Sequence, residues 1–262
     1  STGRGDRIDL QREDILAYKQ SLSSKSSYTT SGYLTAVRKF YQWLESKKLY
    51  PDISRGVKGA KKPKGFRKDV LHPKQIRKVL ETVDRSTALG LRDYAILQLL
   101  FRTGLRTIEV SRARIGDLRQ EPGLKTGEAV LWVQGKGRDE ADEFVLLTSE
   151  TLQPIQEYLA SRGFYRESDA LFCSGSDRNY AEALSTRSIS RIVKEALRRA
   201  GLDDTRLTAH STRHTAITLA ILGGASPQQA QAMARHSDIK TTLGYFHNLD
   251  RVKAGAERYI HI

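Results

Sequence analysis

His210, Arg213, His236 and Tyr245 stand within one short span near the C-terminal end of the chain, and Arg106 and Lys136 join them from upstream. Together they gather cations and imidazoles around a single phenolic hydroxyl. Cleaving a phosphodiester with a protein nucleophile and no metal would require such a set. Arg106 precedes a helix, and Glu109, three residues on, is placed to fix its guanidinium by an ion pair. A fixed, permanently charged fork suits an attacked phosphate, whose non-bridging oxygens gather negative charge. His210-x-x-Arg213 opens a helix with both side chains on one face, where backbone amides also favour an anion. Lys136, at the tip of the Gly135-Lys136-Gly137 turn, reads as a mobile cation able to protonate a leaving oxygen. A tyrosine hydroxyl, with a pKa of about 10, is a poor nucleophile unless nearby cations and a histidine stabilise phenolate character. His214, directly after Arg213, reads as structural and as pointing elsewhere.

These residues need a scaffold, and the apolar periodicity predicts a mainly helical one. Residues 12–22 and 28–49 read as helices, the second with Leu34, Val37, Tyr41 and Leu44 on one face and Phe40 beside them. Helices are expected again at 73–83, 89–102, 149–161, 185–200, 208–222, 227–235 and 239–246, with Thr107 capping a short one through Arg112. The β signal lies in 128–147, where two apolar runs flank the Gly135-Lys136-Gly137 turn. The fold class is therefore mainly α with a small antiparallel β-sheet. Two helices alone bury little surface, so residues 1–56 read as part of a helical domain whose earlier helices precede residue 1. Residues 57–69 form a basic linker, and a catalytic domain spans 70–250.

A net charge of +14 favours a polyanionic partner. Residues 1–65 hold fourteen Lys/Arg against six Asp/Glu and so carry +8 of it, leaving +6 for the rest. Arg38, Lys39, Lys58, Lys61, Lys62, Lys64 and Arg235 are the candidate DNA contacts; neutralising phosphates releases counterions and adds affinity without reading sequence. The single cysteine, Cys173, excludes an internal disulfide and a Cys-rich zinc site and reads as a small apolar residue. No metal site is read from the Asp139, Glu140, Asp142, Glu143 cluster, which alternates along a solvated strand entry. No Walker-type loop and no long apolar run occur, so neither ATP-driven activity nor a membrane partner is expected.

Thr103-Gly104-Leu105-Arg106-Thr107-Ile108-Glu109-Val110 resembles the first arginine box of the tyrosine recombinases, also called the phage integrase family. Leu207 through Thr215, with His210 and Arg213, resembles the second box, and Arg235-His236-Ser237 through Gly244-Tyr245 is similar to the third. Lys136 falls where the family keeps its hairpin lysine. The match covers residues 70–262; a looser one, in Tyr33 to Trp43 and the linker, links residues 1–56 to part of the family's core-binding domain. Arg235 departs from the pattern, standing where the family commonly has glycine before the third-box histidine.

The resemblance implies a tyrosine recombinase catalytic fold and a clamp around double-stranded DNA carrying recombination sites. Tyr245 would attack the scissile phosphate to give a 3′-phosphotyrosyl bond and a free 5′-hydroxyl. Arg106, Arg213 and His236 would hold the phosphoryl oxygens, Lys136 would protonate the leaving oxygen, and His210 would assist proton transfer from Tyr245. No cofactor is implied. The expected assembly is a homo-tetramer on DNA and a monomer when free, with accessory DNA-bending factors as further partners. Residues 251–262 resemble the tail by which family members dock on a neighbouring subunit, or form a last helix on their own domain. The expected location is cytoplasmic and nucleoid-associated, and the linker leans toward a mobile-element integrase. Two other readings stay open: a type IB topoisomerase-like DNA relaxation enzyme, and a non-catalytic DNA-binding protein.

Overall fold

The computed structural model describes residues 9–61, 69–135, 137–176 and 181–253, with side chains through 246. The chain divides into two compact units, Ser1–Gly65 and Phe66–Ile262.

The first unit holds α1 (Arg12–Ser21) and α2 (Ser27–Ser46). Ser26 starts α2, its hydroxyl accepting from the Thr29 amide at 3.1 Å and so satisfying one of the otherwise orphaned first-turn donors. Leu34 and Tyr41 of α2 are buried against Ile15 and Val57, with Val37, Leu44, Tyr50 and Ile53 around them. Phe40, expected beside this face, is instead 55% exposed and stacks on Trp43; a helical turn carries position 40 away from the 34/37/41/44 stripe. The start of the linker belongs to this unit. Val57 lies in its core and the Ala60 carbonyl accepts from the Ser31 hydroxyl at 3.3 Å.

In the second unit, α3 (Pro73–Glu81) begins with proline, whose missing amide costs nothing in a first turn. It is followed by α4 (Ala88–Thr103), α5 (Thr107–Arg112) and a 3-10 turn at Ile115–Asp117. Strands β1 (Leu118–Arg119), β2 (Ala129–Val133) and β3 (Glu143–Leu147) form one antiparallel sheet in that order, with Leu131 facing Leu118 and Val145. The strand β1, only two residues long, has no alternation by which sequence could announce it. Helices α6 (Ser149–Arg162), α7 (Thr186–Arg199), α8 (Ala209–Leu222), α9 (Pro227–Ala234) and α10 (Ile239–Lys253) complete the unit.

α4 is the centre of the core. Ala95, Ile96, Leu97, Leu99 and Leu100 are fully buried, and α4 packs against α3, α6, α7 and α8. A helix with buried residues on every side is stable only when surrounded in this way. Its rigid C-terminal end therefore makes a fixed platform for the turn that carries Arg106. Among the described residues, no helix is long and apolar enough to cross a membrane.

Candidate active site

The turn after α4 is set by Gly104, left-handed at φ 64°. α8 runs hard against it: a Cβ on Gly104 would meet the Ala216 Cβ at 3.4 Å and the Arg213 Cγ at 3.7 Å. Gly104→Ala is expected to cost about 1 kcal/mol through the left-handed backbone alone. That lowers Tm by about 2–4 °C in a unit of this size, measurable by thermal unfolding, and displaces Arg106 and Arg213 together.

Arg106 itself takes the N-cap position of α5, with Thr107 as the first helical residue rather than the cap. The cap is made by a side chain reaching back: Glu109 Oε2 accepts the Arg106 amide at 2.7 Å, and Oε1 accepts Arg106 Nη1 at 2.9 Å. Glu109 is wholly buried, while the Arg106 side chain stays 36% exposed. The expected ion pair between Glu109 and Arg106 is present, and it ties the guanidinium down yet leaves one edge open.

α8 brings in His210, Arg213 and His214. Thr208 caps this helix, its hydroxyl accepting from the His210 amide at 3.2 Å. Arg213 is buried, donating from Nη1 to the Gly104 carbonyl at 2.6 Å and from Nη2 to the Ala234 carbonyl. Among the described residues it makes no ion pair with a carboxylate. Burial, followed by the charges of Arg106 and Arg235, pushes its pKa down to about 10. It is still charged at neutral pH, so the site holds three arginines around the single buried carboxylate of Glu109. Such an arrangement carries positive charge in excess and has room for an anion.

Arg106, His210 and Arg213 line one cavity of about 600 Å³, together with Thr107, Ser190 and Lys194. Lys194 of α7 gave no signal in the sequence. Its ammonium is held at the cavity by the Asp204 carbonyl (2.7 Å) and the Asp203 carboxylate (3.0 Å).

Tyr245 lies in α10, 2% exposed, packed with Ile217 and Ala234. His236 follows the end of α9; its Nδ1 lies 2.9 Å from the Thr242 hydroxyl and its ring stacks with Tyr245 at 6.3 Å. The Tyr245 hydroxyl is 2.5 Å from His214 Nδ1. Burial pushes the phenol up to about 12, against the lowering effect of the Arg213 charge. As arranged here the hydroxyl is neutral and bonded to an imidazole, on a depression lined also by Leu71, Pro73, Thr218 and Leu222. His214, expected to point elsewhere, therefore lies against the Tyr245 hydroxyl. The signal was in the sequence: it is four residues from His210, on the same helical face, and the two rings meet edge to face at 4.4 Å.

Of the candidate DNA contacts, Lys39, Lys58 and Lys61 are exposed. Arg38 is half-buried and donates to the Val57 carbonyl. Arg235 corrects an expectation: its side chain is 3% exposed and paired with Glu109 at 2.8 Å, so it presents no cation to a DNA surface. A guanidinium buried on a buried carboxylate is held too strongly to leave for an exposed phosphate. Lys62, Lys64 and the expected general acid Lys136 lie outside the described residues, as does the tail from residue 254.

Comparison with known proteins bears on this geometry. The model of the phage integrase family matches residues 69–251. A tyrosine recombinase of Synechococcus elongatus is 34% identical over 174 residues, covering 66% of this chain and only 52%, about half, of that protein. The tyrosine recombinase XerD of Listeria monocytogenes is 27% identical over 254 residues, covering 94% of this chain and 80% of its own length. Among solved structures, the post-cleavage complex of the XerH site-specific recombinase on a palindromic difH substrate superposes with a TM-score of 0.76. It is 20% identical and covers 94% of this chain and 72% of that one, a likeness of fold.

Proposed function

The chain belongs to the phage integrase family, the tyrosine recombinases, and from that premise we propose that it cuts and rejoins duplex DNA at specific sites through a covalent tyrosyl intermediate. The observation that carries the reading is the convergence of Arg106, His210 and Arg213 on one cavity, with buried positive charge in excess and Tyr245 beside Arg213.

In this reading the scissile phosphate occupies the cavity and supplies the anion that Arg213 lacks. Tyr245 leaves His214 and its oxygen bonds to phosphorus, while the bond from phosphorus to the 5′-oxygen breaks. The phenolic proton passes to an imidazole, His210 in first place, and Lys136 returns a proton to the departing 5′-oxygen. Arg106, Arg213 and His236 stabilise the charge that builds on the non-bridging oxygens. The phosphotyrosyl bond conserves the energy of the broken one, so a 5′-hydroxyl from another strand reseals it without ATP. Four subunits on two duplexes would exchange strands in pairs, with DNA-bending factors assisting assembly, on the nucleoid in the cytoplasm.

The backbone contacts come from Lys39, Lys58, Lys61, Lys62 and Lys64, with Arg38 contributing in part. Their loss is expected to weaken binding to all sequences alike and to flatten its salt dependence.

Covalent trapping tests the proposal. The protein is incubated with a duplex nicked beside its crossover site, in the presence of a chelator, and a denaturing gel is run. The expected result is a protein–DNA adduct that survives denaturation; a duplex that is bound yet never becomes attached would sink the reading.

A further inference from the structure

Arg235 ends α9 in a left-handed conformation at φ 50°, which glycine adopts freely and long side chains rarely do. What the arginine adds there is its guanidinium. Nη2 donates to Glu109 Oε2 at 2.8 Å and Nη1 to the Met233 carbonyl at 2.7 Å. Nε is buried and has no hydrogen-bond partner among the described residues; Glu143 Oε2 stands 3.9 Å from it. Glu143 opens β3, and its other oxygen lies 3.5 Å from Nη2 of Arg138, two residues beyond Lys136.

Glu109 is thus shared. Its Oε2 accepts from both the Arg106 amide and Arg235, and its Oε1 from the Arg106 guanidinium. With glycine at 235, this buried carboxylate would pair with Arg106 alone, and the pair would be neutral toward a phosphate. With Arg235 present the trio carries a net positive charge. The charged groups around Glu109 are Arg106 on its own element, Arg235 at the end of α9 and Arg213 on α8, with Glu143 of β3 beyond Arg235. Burial works to raise the Glu109 pKa, but the Arg235 charge, the Arg106 amide and the Arg106 charge together bring it below its usual value.

We propose that Arg235 is a positioning residue: through Glu109 it fixes the Arg106 guanidinium and leaves its charge for the scissile phosphate. This rests on the recombinase reading above.

The test is single-turnover cleavage of the nicked duplex at saturating protein, from acid to mildly alkaline pH, in wild type, R235G, R235K, E109Q and R235G/E109Q. R235G is expected to cleave about tenfold more slowly or worse, with DNA affinity within about threefold of wild type. Its acid limb should move to higher pH. Without Arg235, Glu109 protonates more readily, and a protonated carboxyl no longer holds Arg106. R235K keeps the cation and should restore part of the rate, while the double variant should be no slower than E109Q, because one residue acts through the other. Thermal unfolding of each variant establishes that the fold is kept, and R235K stays informative where R235G is not. Losses that simply multiply in the double variant would overturn the proposal. So would a wild-type rate and pH profile in R235G, or a loss of DNA affinity parallel to the loss of rate, which would make Arg235 a phosphate contact after all. A wild-type chain that gives no adduct with bound DNA overturns the recombinase reading itself, and is recognised before any variant is compared.

Discussion

Tyr245→Phe is expected to abolish the protein–DNA adduct, a loss of about 10⁴-fold or more in cleavage, while leaving DNA binding intact. The substitution removes one oxygen and little else. Tyr245 is 2% exposed, and its ring packs with Ile217 and Ala234 whether or not the hydroxyl is present. The oxygen lost is bonded to His214, and forfeiting one such bond costs about 1 kcal/mol. The Phe variant should therefore fold, and gel-shift titrations should give it the wild-type affinity. An adduct that persists in Tyr245→Phe would transfer the nucleophile to another residue and overturn the mechanism. A second signature is thermodynamic. Burial pushes the Tyr245 pKa in the fold up to about 12, against about 10 in an unfolded chain. The unfolded chain thus ionises first, and the stability this group contributes is full below pH 10 and is lost as pH rises from 10 toward 12. Unfolding followed across that window should show wild type losing more stability than Tyr245→Phe. Parallel curves for the two proteins would mean that the phenol is not sequestered in solution.

Arg213 is expected to produce the next largest effect. Arg213→Ala should lower cleavage by about 10²–10³-fold, the size expected for removing one donor to the charge that develops at phosphorus. It should also destabilise the fold by about 3 kcal/mol, since it leaves the Gly104 and Ala234 carbonyls without their donor and opens a cavity between α8 and the Gly104 turn. Arg213→Lys separates the two losses. It retains a cation but lacks the planar fork that reaches two carbonyls and an anion at once. It should fold nearly normally and still cleave at least about a hundredfold more slowly. The depressed pKa of Arg213, near 10, gives a further check. Burial and the arginine neighbours disfavour the charged form relative to the neutral one, a cost that a bound anion offsets. Site DNA should consequently raise the Tm of wild type more than that of Arg213→Ala. Equal shifts would remove Arg213 from the phosphate cavity.

Much of this was written locally in the chain. A short-range relation is fixed as soon as the backbone is helical, so Glu109 three residues after Arg106, and His210 three before Arg213, were legible as pairs sharing a face. The helices were legible for the same reason: an apolar stripe such as Leu34, Val37, Tyr41, Leu44 repeats at the helical period, and the strongly apolar α4 had to be core. The His210–His214 contact was equally local, at four residues, and was available to the same argument. The two-residue strand β1 and the cap of α5 were not. The first is too short to carry a pattern, and the second depends on the Glu109 side chain reaching back to the Arg106 amide.

The sequence by itself therefore determined the helical class and the short-range pairings Arg106–Glu109 and His210–Arg213, because each follows from residue type and spacing along one element. Only the tertiary structure decided which cation faces the cavity and which is hidden. Arg106, Arg213 and Arg235 are indistinguishable as letters, yet one is half-open, one is buried on backbone carbonyls, and one is buried on Glu109. The same holds for Tyr245, whose hydroxyl rests on His214 rather than in the cavity that Arg106 and Arg213 line. Burial and partner choice depend on how the Gly104 turn, α8, α9 and α10 converge across more than a hundred residues, and no local spacing encodes that distance.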